Sequence, residues 1–210
     1  MKLYHSTASP NSRRVRMFMA EKGLSIPLQP VNLGEKEQFS DGFKLINPRR
    51  QVPVLVLDDG TAIAEVPAIW RFLEETHPAR PLLGSDATGK ALITMWERRA
   101  ELDGFAPTME GVRNAVPGLK DRALSGPHDY EQIPALVERS KRRVANFYAD
   151  LDAHLKEVPF VAGTDFSVAD ITALVTVDFA TAALKMPIPE ASHSMRRWYE
   201  TVAARPSAST

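Results

Sequence analysis

A proline entered from a valine, Val52-Pro53, lies inside an apolar run of the chain. A central β-strand does not tolerate proline, because proline cannot donate to the hydrogen-bond ladder. The sequence therefore predicts a tight turn with a cis Val52-Pro53 bond, which leaves the N–H and C=O of Val52 without ladder partners. Those two groups can pair with the backbone of a bound peptide, as an added strand does. Glu65, one strand further along, can hold the ammonium group of that peptide.

A polar segment with Ser9, Asn11 and Ser12 precedes a helix predicted over residues 13–22. Helix N-termini carry unpaired N–H groups and partial positive charge, and both lower the pKa of a nearby thiol. A hydrogen bond to a charged group contributes roughly 1.5–3 kcal/mol. One serine hydroxyl and the helix end can therefore lower a thiol pKa of about 8.5 by about one to two units. The alternative is that these residues only form the turn and the N-cap.

The composition excludes several classes of function. The chain has 210 residues, of which 44% are hydrophobic and 25% charged, and Lys+Arg and Asp+Glu both count 26. A net charge of zero gives no global field for nucleic acid or an anionic membrane. The lack of cysteine excludes disulfides, a thiol nucleophile and thiolate zinc sites. Because no long apolar segment is visible, we expect a cytoplasmic protein without nucleic-acid or membrane partners.

The first part of the chain predicts a mixed α/β domain over residues 1–77. Helices are predicted over 13–22, closed by Gly23, and from Pro67 to about residue 76. The strands are predicted over residues 2–5, 26–31, 54–57 and 61–64, the last two as a hairpin around Asp58-Asp59-Gly60. Pro27 and Pro30 confine the second strand to a sheet edge.

A proline-rich linker is predicted over residues 78–87, and an all-helical domain over residues 88–210. Residues 114–130 are rich in turn signals and predict a loop. The predicted helices cover residues 90–110, with a break near Gly104 and Pro107, and then residues 136–155, 167–184 and 195–203. The five histidines have no metal-ligand spacing, so we expect no metal site.

Two of these segments resemble cytosolic glutathione S-transferases of the serine type. Asn47-Pro48-Arg49-Arg50-Gln51-Val52-Pro53 is similar to the family segment Asn-Pro-x-Gly-x-Val-Pro. The resemblance implies a thioredoxin-like N-terminal domain, an all-α C-terminal domain and glutathione as co-substrate. It implies that Gln51, Val52 and Pro53 bind glutathione and that Ser9 contacts the sulfur, with Ser12 and Asn11 as alternatives. Tyr4 is a rival hydroxyl, but a core role in the first strand is favoured.

Two positions depart from the family pattern. Arg50 stands where glycine is usual, which adds a cation near the glycine carboxylate of glutathione. Glu65-Val66 resembles the family's Glu-Ser pair, which implies that Glu65 binds the γ-glutamyl end. Val66 lacks the hydroxyl that usually binds the γ-glutamyl carboxylate, so only its backbone N–H is available at the helix start.

A capping box in the second half extends the resemblance across both domains. Ser167 caps a helix and Asp170 reaches back, with Phe166 and Ile171 placed as a hydrophobic staple. The family carries this element in its helical domain, preceded by a glycine that is Gly163 here. We expect it to be structural rather than catalytic.

The resemblance implies transfer of the glutathione thiol to a small hydrophobic electrophile. The acceptor-substrate site is expected at Ser6, Leu102, Phe105 and Met109. A homodimer is expected, with a surface at residues 67–72 and at Leu92, Met95 and Trp96. Two alternatives remain: a zeta-like glutathione-dependent isomerase, and a non-catalytic glutathione-transferase-like regulatory or interaction protein.

Overall fold

The computed structural model describes all 210 residues, which divide into two compact units. Unit 1 comprises Met1–Pro81, Ser125–His128 and Thr210, and unit 2 comprises Leu82–Leu124 and Asp129–Ser209. Unit 1 mixes strands and helices, whereas unit 2 is helical. None of the helices combines the length and the apolar character needed to cross a membrane.

Unit 1 is built on a four-stranded sheet in the order β2-β1-β3-β4. The strands are β1 Lys2–His5, β2 Leu28–Pro30, β3 Val54–Val56 and β4 Ala62–Ala64. β1 is parallel to β2 and antiparallel to β3, and β3 pairs antiparallel with β4. The predicted hairpin and the edge position of β2 are confirmed, although β2 is shorter than predicted because prolines border and end it.

Both faces of the sheet are covered. Leu3 and Leu55 are cross-strand partners and are fully buried. On the opposite face Tyr4 pairs with Val54, and its ring meets Phe43 edge-on at 6.2 Å between centroids. Phe43 belongs to α2, which spans Asp41–Ile46. The core role predicted for Tyr4 therefore agrees with its packing.

Two longer helices of unit 1 pack against each other: α1 spans Pro10–Lys22 and α3 spans Val66–Thr76. The rings of Phe18 in α1 and Trp70 in α3 stack with centroids 5.9 Å apart. The prediction that α1 begins at residue 13 was wrong by three residues, because Pro10 occupies the first turn, a position that suits its fixed φ. Gly23 closes α1 in the left-handed conformation, as predicted.

Unit 2 contains five α-helices, of which the first two are joined by a π-helical turn and the others by longer connecting segments. They are α4 Ala87–Arg99, α5 Ala106–Ala115, α6 Pro134–His154, α7 Val168–Phe179 and α8 His193–Ala203. The break predicted near Gly104 and Pro107 is instead a π-helical turn over Ala100–Phe105, which joins α4 to α5. A β-carbon at Gly104 would lie 2.7 Å from the ring of Phe147 in α6, so the turn requires glycine there.

The predicted capping box at α7 is confirmed. Ser167 is the N-cap, and Asp170 accepts hydrogen bonds from the N–H groups of Ser167 (3.0 Å) and Val161 (2.9 Å). The indole Nε1 of Trp198 also donates to Asp170, at 2.8 Å. Burial raises the pKa of Asp170 to about 6, and these hydrogen bonds oppose that rise.

Candidate functional site

The Val52-Pro53 peptide bond is cis, as the sequence predicted. Val52 precedes β3, and neither its N–H nor its C=O makes a backbone hydrogen bond. The Val52 side chain is buried in a cluster with Val31, Phe43 and Val54. The backbone of Val52 is therefore held by a packed side chain, and its donor and acceptor stay open for an extended ligand.

Asn47 shapes the loop that leads to Val52. Its Nδ2 donates to the carbonyl of Gln51 at 2.9 Å, and its Oδ1 accepts from the N–H of Arg49 at 3.0 Å. Its own carbonyl accepts from the N–H of Arg50 at 2.8 Å. Arg50 lies in the left-handed region with φ 55°, which explains why glycine suits this position. For a residue with a β-carbon this conformation costs roughly 1–2 kcal/mol.

Gln51 has a side-chain partner that the sequence did not predict. Its Nε2 donates to Oγ of Ser125 at 3.0 Å. The segment Ser125–His128 belongs to unit 1 although 74 positions separate the two residues. No local motif signals such a contact, because residues 114–130 predict only a loop. The Oε1 of Gln51 stays available as an acceptor.

Glu65 joins β4 to α3 with an unusual backbone. Its φ is 69° and its ψ is 128°, in a region that residues with a β-carbon rarely adopt. Its side chain is exposed and makes no hydrogen bond or ion pair within the chain. Strained backbone at a residue with a free charge is typical of ligand-binding positions. This geometry suits a carboxylate that binds a cationic group of a ligand.

Val66 begins α3 next to this carboxylate. Its side chain is 4% exposed, and its N–H makes no backbone hydrogen bond. The N-cap residue Glu65 makes no side-chain capping hydrogen bond, and Pro67, which follows Val66, has no N–H. Val66 thus offers one open N–H at the positive end of the helix dipole, which favours an anion.

Ser9 is the N-cap of α1, and its hydroxyl retains a free hydrogen. Its Oγ accepts from the N–H of Ser12 at 3.2 Å. The side chain makes no other hydrogen bond, so the O–H can donate to a ligand. Ser9 is 8% exposed, which places this donor near the protein surface but largely out of water.

The alternative sulfur contacts have partners of their own. Ser12 is fully buried, and its Oγ accepts from the N–H of Ser6 at 3.2 Å. The Oδ1 of Asn11 accepts from Arg14 at 3.2 Å. Among the three, Ser9 alone combines partial exposure with a hydroxyl that is not donating.

A partly buried pair that sequence reasoning missed supports the turn before Ser9. Arg16 donates from Nη1 to the carbonyl of Ser6 at 3.2 Å and lies 3.2 Å from Nδ1 of His5. Burial lowers the pKa of His5, and the charge of Arg16 lowers it further. His5 is therefore neutral near pH 7 and accepts from Arg16 through Nδ1, which orders the turn.

The predicted acceptor-site residues differ in accessibility. Ser6 in unit 1 and Phe105 in unit 2 are 6% and 4% exposed, so neither presents much surface. Leu102 is 48% exposed on the π-helical turn, and its carbonyl accepts from Arg143 at 2.7 Å. Met109 in α5 is half-buried. The structure contains no cluster of three or more His, Cys, Asp or Glu side chains able to hold a metal ion.

A sheet of this topology with a cis-proline turn before β3 defines a thioredoxin-like domain, and a helical unit accompanies it. The profile of the glutathione S-transferase N-terminal domain matches residues 3–81, and that of the C-terminal domain matches residues 134–201. The chain is 35% identical over 210 residues to glutathione S-transferase 2 of Saccharomyces cerevisiae, covering 99% of this chain and 87% of the relative.

Two further proteins are similar to this chain. The crystal structure of Gtt2 from Saccharomyces cerevisiae superposes with a TM-score of 0.89 at 34% identity, covering 100% of this chain and 99% of that chain. The maleylacetoacetate isomerase of Rattus norvegicus is 40% identical over 140 residues, covering 62% of this chain and 64% of the relative. The chain belongs to the glutathione S-transferase family.

Proposed function

We propose that this protein is a glutathione S-transferase that activates the thiol of glutathione for attack on a small electrophile. The observation that carries the proposal is the open backbone of Val52 together with the unpaired carboxylate of Glu65. Glutathione is a short peptide with a free ammonium group at one end. Val52 pairs with its cysteinyl backbone, and Glu65 binds the ammonium.

The remaining unit 1 residues complete the peptide site. Pro53 fixes the turn, and Gln51 offers its amide next to Val52. The open N–H of Val66 binds the γ-glutamyl carboxylate in place of the missing serine hydroxyl. Because a single N–H replaces two donors, we expect weaker glutathione binding than in a protein with serine at this position.

Ser9 acts on the sulfur. Its free O–H donates to the thiolate, at the N-terminus of α1 where the helix dipole adds positive potential. One hydrogen bond to a charged group contributes roughly 1.5–3 kcal/mol. That energy lowers the thiol pKa by about one to two units, to about 6.5–7.5, so a large fraction of the bound thiol is ionised near neutral pH. Serine acts here as a donor rather than as a base.

The electrophile is a small hydrophobic molecule. Leu102 and Met109 provide exposed and half-buried apolar surface in unit 2, and Phe105 is buried on the same π-helical turn as Leu102. Conjugation of such compounds is a detoxification reaction, and we place it in the cytoplasm, where glutathione is kept reduced.

The protein is proposed to act as a homodimer. Leu92 and Met95 are three residues apart on α4 and are 45% and 37% exposed, so they share one apolar face. Trp96 adds less to this apolar surface than we expected from its size, because its ring stacks on the ring of His154, with centroids 3.8 Å apart, and the guanidinium of Arg99 lies over it at 4.7 Å. Light scattering tests this: a mass near the 23.3 kDa of one chain, with full activity, would contradict a dimer.

A glutathione-dependent isomerase is the second candidate, favoured by the identity to maleylacetoacetate isomerase. A non-catalytic glutathione-transferase-like regulatory or interaction protein is the third. Turnover with chloro-nitro aromatics, isothiocyanates and peroxides, measured beside isomerisation of maleylacetoacetate, separates the first two. Calorimetric measurement of glutathione binding separates the two enzymes from a protein that has no glutathione site. Binding with conjugation supports the proposal, whereas failure to bind glutathione overturns it.

A further inference from the structure

The helices α1 and α3 run in the same direction, and the contacts between them advance in step. In the second turn of α1 the guanidinium carbon of Arg14 lies 5.0 Å from the centroid of the Trp70 ring. One turn further along α1, the ring of Phe18 stacks on the ring of Trp70 at 5.9 Å. At the end of both helices Nζ of Lys22 donates to Glu74 at 2.6 Å. The two N-termini therefore lie at the same end of the helix pair.

This register brings Asn11 to the height of Val66. Asn11 precedes Arg14 by three residues, and Val66 precedes Trp70 by four, so each lies one turn nearer the N-terminus on the contacting side of its helix. Val66 carries the open N–H at the start of α3. An anion bound to that N–H is therefore next to the first turn of α1, which contains Asn11.

The amide of Asn11 is oriented so that its donors are free. Nη1 of Arg14 donates to its Oδ1 at 3.2 Å, and because a guanidinium has no acceptor, the amide oxygen must face it. The Nδ2 atom makes no hydrogen bond within the protein, and Asn11 is half-buried. A charged donor at the oxygen also polarises the amide, which strengthens its N–H groups as donors. Asn11 thus offers two N–H donors to a ligand.

The groups around Asn11 favour an anionic ligand. The indole Nε1 of Trp70 is a further donor, since the residue is 1% exposed and this atom has no acceptor in the protein. The guanidinium that holds Asn11 is cationic, and the first turn of α1 contains no acidic residue. Donors close to a cation bind a carboxylate more strongly than they bind a neutral group.

We propose that Asn11 donates from Nδ2 to the γ-glutamyl carboxylate of glutathione, and that Arg14 is the positioning residue that orients its amide. This inference rests on the proposed function. The carboxylate is then bound from two helices, by the N–H of Val66 and by the side chain of Asn11. The second donor offsets in part the serine hydroxyl that position 66 lacks. It also gives Asn11 a role other than the sulfur contact.

The test compares calorimetric binding of glutathione and of γ-aminobutyryl-cysteinyl-glycine to the full chain. This analogue keeps the ammonium and the thiol and lacks only the carboxylate. Asn11→Ala removes the donors, whereas Asn11→Asp keeps an oxygen for Arg14 and replaces the donors by a second oxygen that repels a carboxylate. We expect glutathione to bind about 5- to 20-fold more weakly to the Ala variant, and more weakly still to the Asp variant. The analogue should bind to the Ala variant within about twofold of its wild-type affinity.

Asn146→Ala, which changes an exposed asparagine of α6, is the matched control and should alter the affinity for neither ligand. Equal weakening of both ligands in Asn11→Ala, or weakening of neither, overturns the assignment of Asn11. A pKa of the bound thiol that rises by about one unit in Asn11→Ala also overturns it, because Asn11 would then contact the sulfur. In these cases the wild-type protein still binds glutathione, so the proposed function stands.

A wild-type protein that does not bind glutathione overturns the proposed function itself. Thermal unfolding of each variant verifies that the fold is retained.

Discussion

The N-termini of α3 and α7 differ in whether groups of the protein accept hydrogen bonds from their first backbone N–H groups. At α7 the Ser167 hydroxyl accepts from the N–H of Ala169 at 3.3 Å, and Asp170 turns back into the protein. The N–H of Val168 donates to the carbonyl of Leu82 at 3.2 Å. At α3 the acidic residue faces outward, and the first N–H has no acceptor.

This difference separates a structural helix end from a binding one. Both ends place a carboxylate near the positive end of a helix dipole, and a short sequence window does not distinguish them. At the N-terminus of α7, which we call the closed end, the protein's own groups accept the hydrogen bonds of the first N–H groups, and these bonds stabilise the fold. At the N-terminus of α3, which we call the open end, the Glu65 carboxylate and the Val66 N–H have no partner within the protein. The backbone at Glu65 is strained.

The largest expected effect is loss of stability at the closed end. Asp170→Ala leaves the Val161 N–H and the Trp198 Nε1 buried without an acceptor. We expect the free energy of unfolding to fall by about 3–5 kcal/mol, measured by urea denaturation. The exposed Asp165→Ala is the control, with a change below about 0.5 kcal/mol. Equal stability of the two variants would show that the capping box is dispensable.

The same carboxyl predicts a pH dependence. The folded-state pKa of Asp170 is raised to about 6, above its ordinary value of 3.8. The folded state therefore binds the proton of Asp170 more tightly than the unfolded state does. This proton binding adds to the free energy of unfolding in full below pH of about 4, and the added stability is lost as the pH rises through about 6. Asp170→Asn should remove that decline. A wild-type stability that rises relative to the Asn variant over this interval would contradict a raised pKa.

At the open end the expected effect is on binding instead of stability. Glu65→Gln should raise the KM for glutathione about 10- to 100-fold, because the charged partner of the substrate ammonium is lost. Urea denaturation should give an unchanged free energy of unfolding, since Glu65 has no partner to lose. Glu75→Gln, an exposed acid on the same helix, should leave the KM unchanged. A normal KM in Glu65→Gln would remove this residue from the site.

The smallest effect is expected at Ser125. Ser125→Ala removes the acceptor that orients the Gln51 amide. A neutral, exposed hydrogen bond of this kind contributes about 0.5–1 kcal/mol, so the KM for glutathione should rise about two- to fivefold with kcat unchanged. The exposed Ser85→Ala should have no effect. A fall in kcat without a rise in KM would mean that Ser125 does not act through Gln51.

Features set by local chemistry were predictable from the sequence. The cis Val52-Pro53 bond, the hairpin of β3 and β4 and the box at Ser167 and Asp170 each depend on a few adjacent residues. The start of α1 was also within reach, because proline favours the first turn of a helix.

Contacts between distant segments were not predictable. The pairs Gln51–Ser125, Arg50–Phe39 and Arg16–His5 depend on tertiary packing, which leaves no periodic or local signal in the sequence. The backbone strain at Glu65 is likewise a property of the folded chain. The sequence thus allowed us to predict the residues of the site one by one, but not the tertiary contacts that position them.

The central claim is that the hydroxyl of Ser9, at the N-terminus of α1, activates the thiol of glutathione. The direct test is the pKa of the bound glutathione thiol, followed by thiolate absorbance as a function of pH. The wild-type value should lie about one to two units below the free value of about 8.5. Ser9→Gly keeps the helix cap to within a few tenths of a kcal/mol and removes the hydroxyl.

In Ser9→Gly we expect the thiol pKa to move most of the way back to its free value, with glutathione affinity changed by less than about threefold, because one hydrogen bond to the sulfur is lost while the peptide contacts remain. Ser12→Ala, which alters a buried hydroxyl in the same turn, should leave the thiol pKa at the wild-type value. A bound thiol whose pKa is equally low in wild type and in Ser9→Gly would contradict the account.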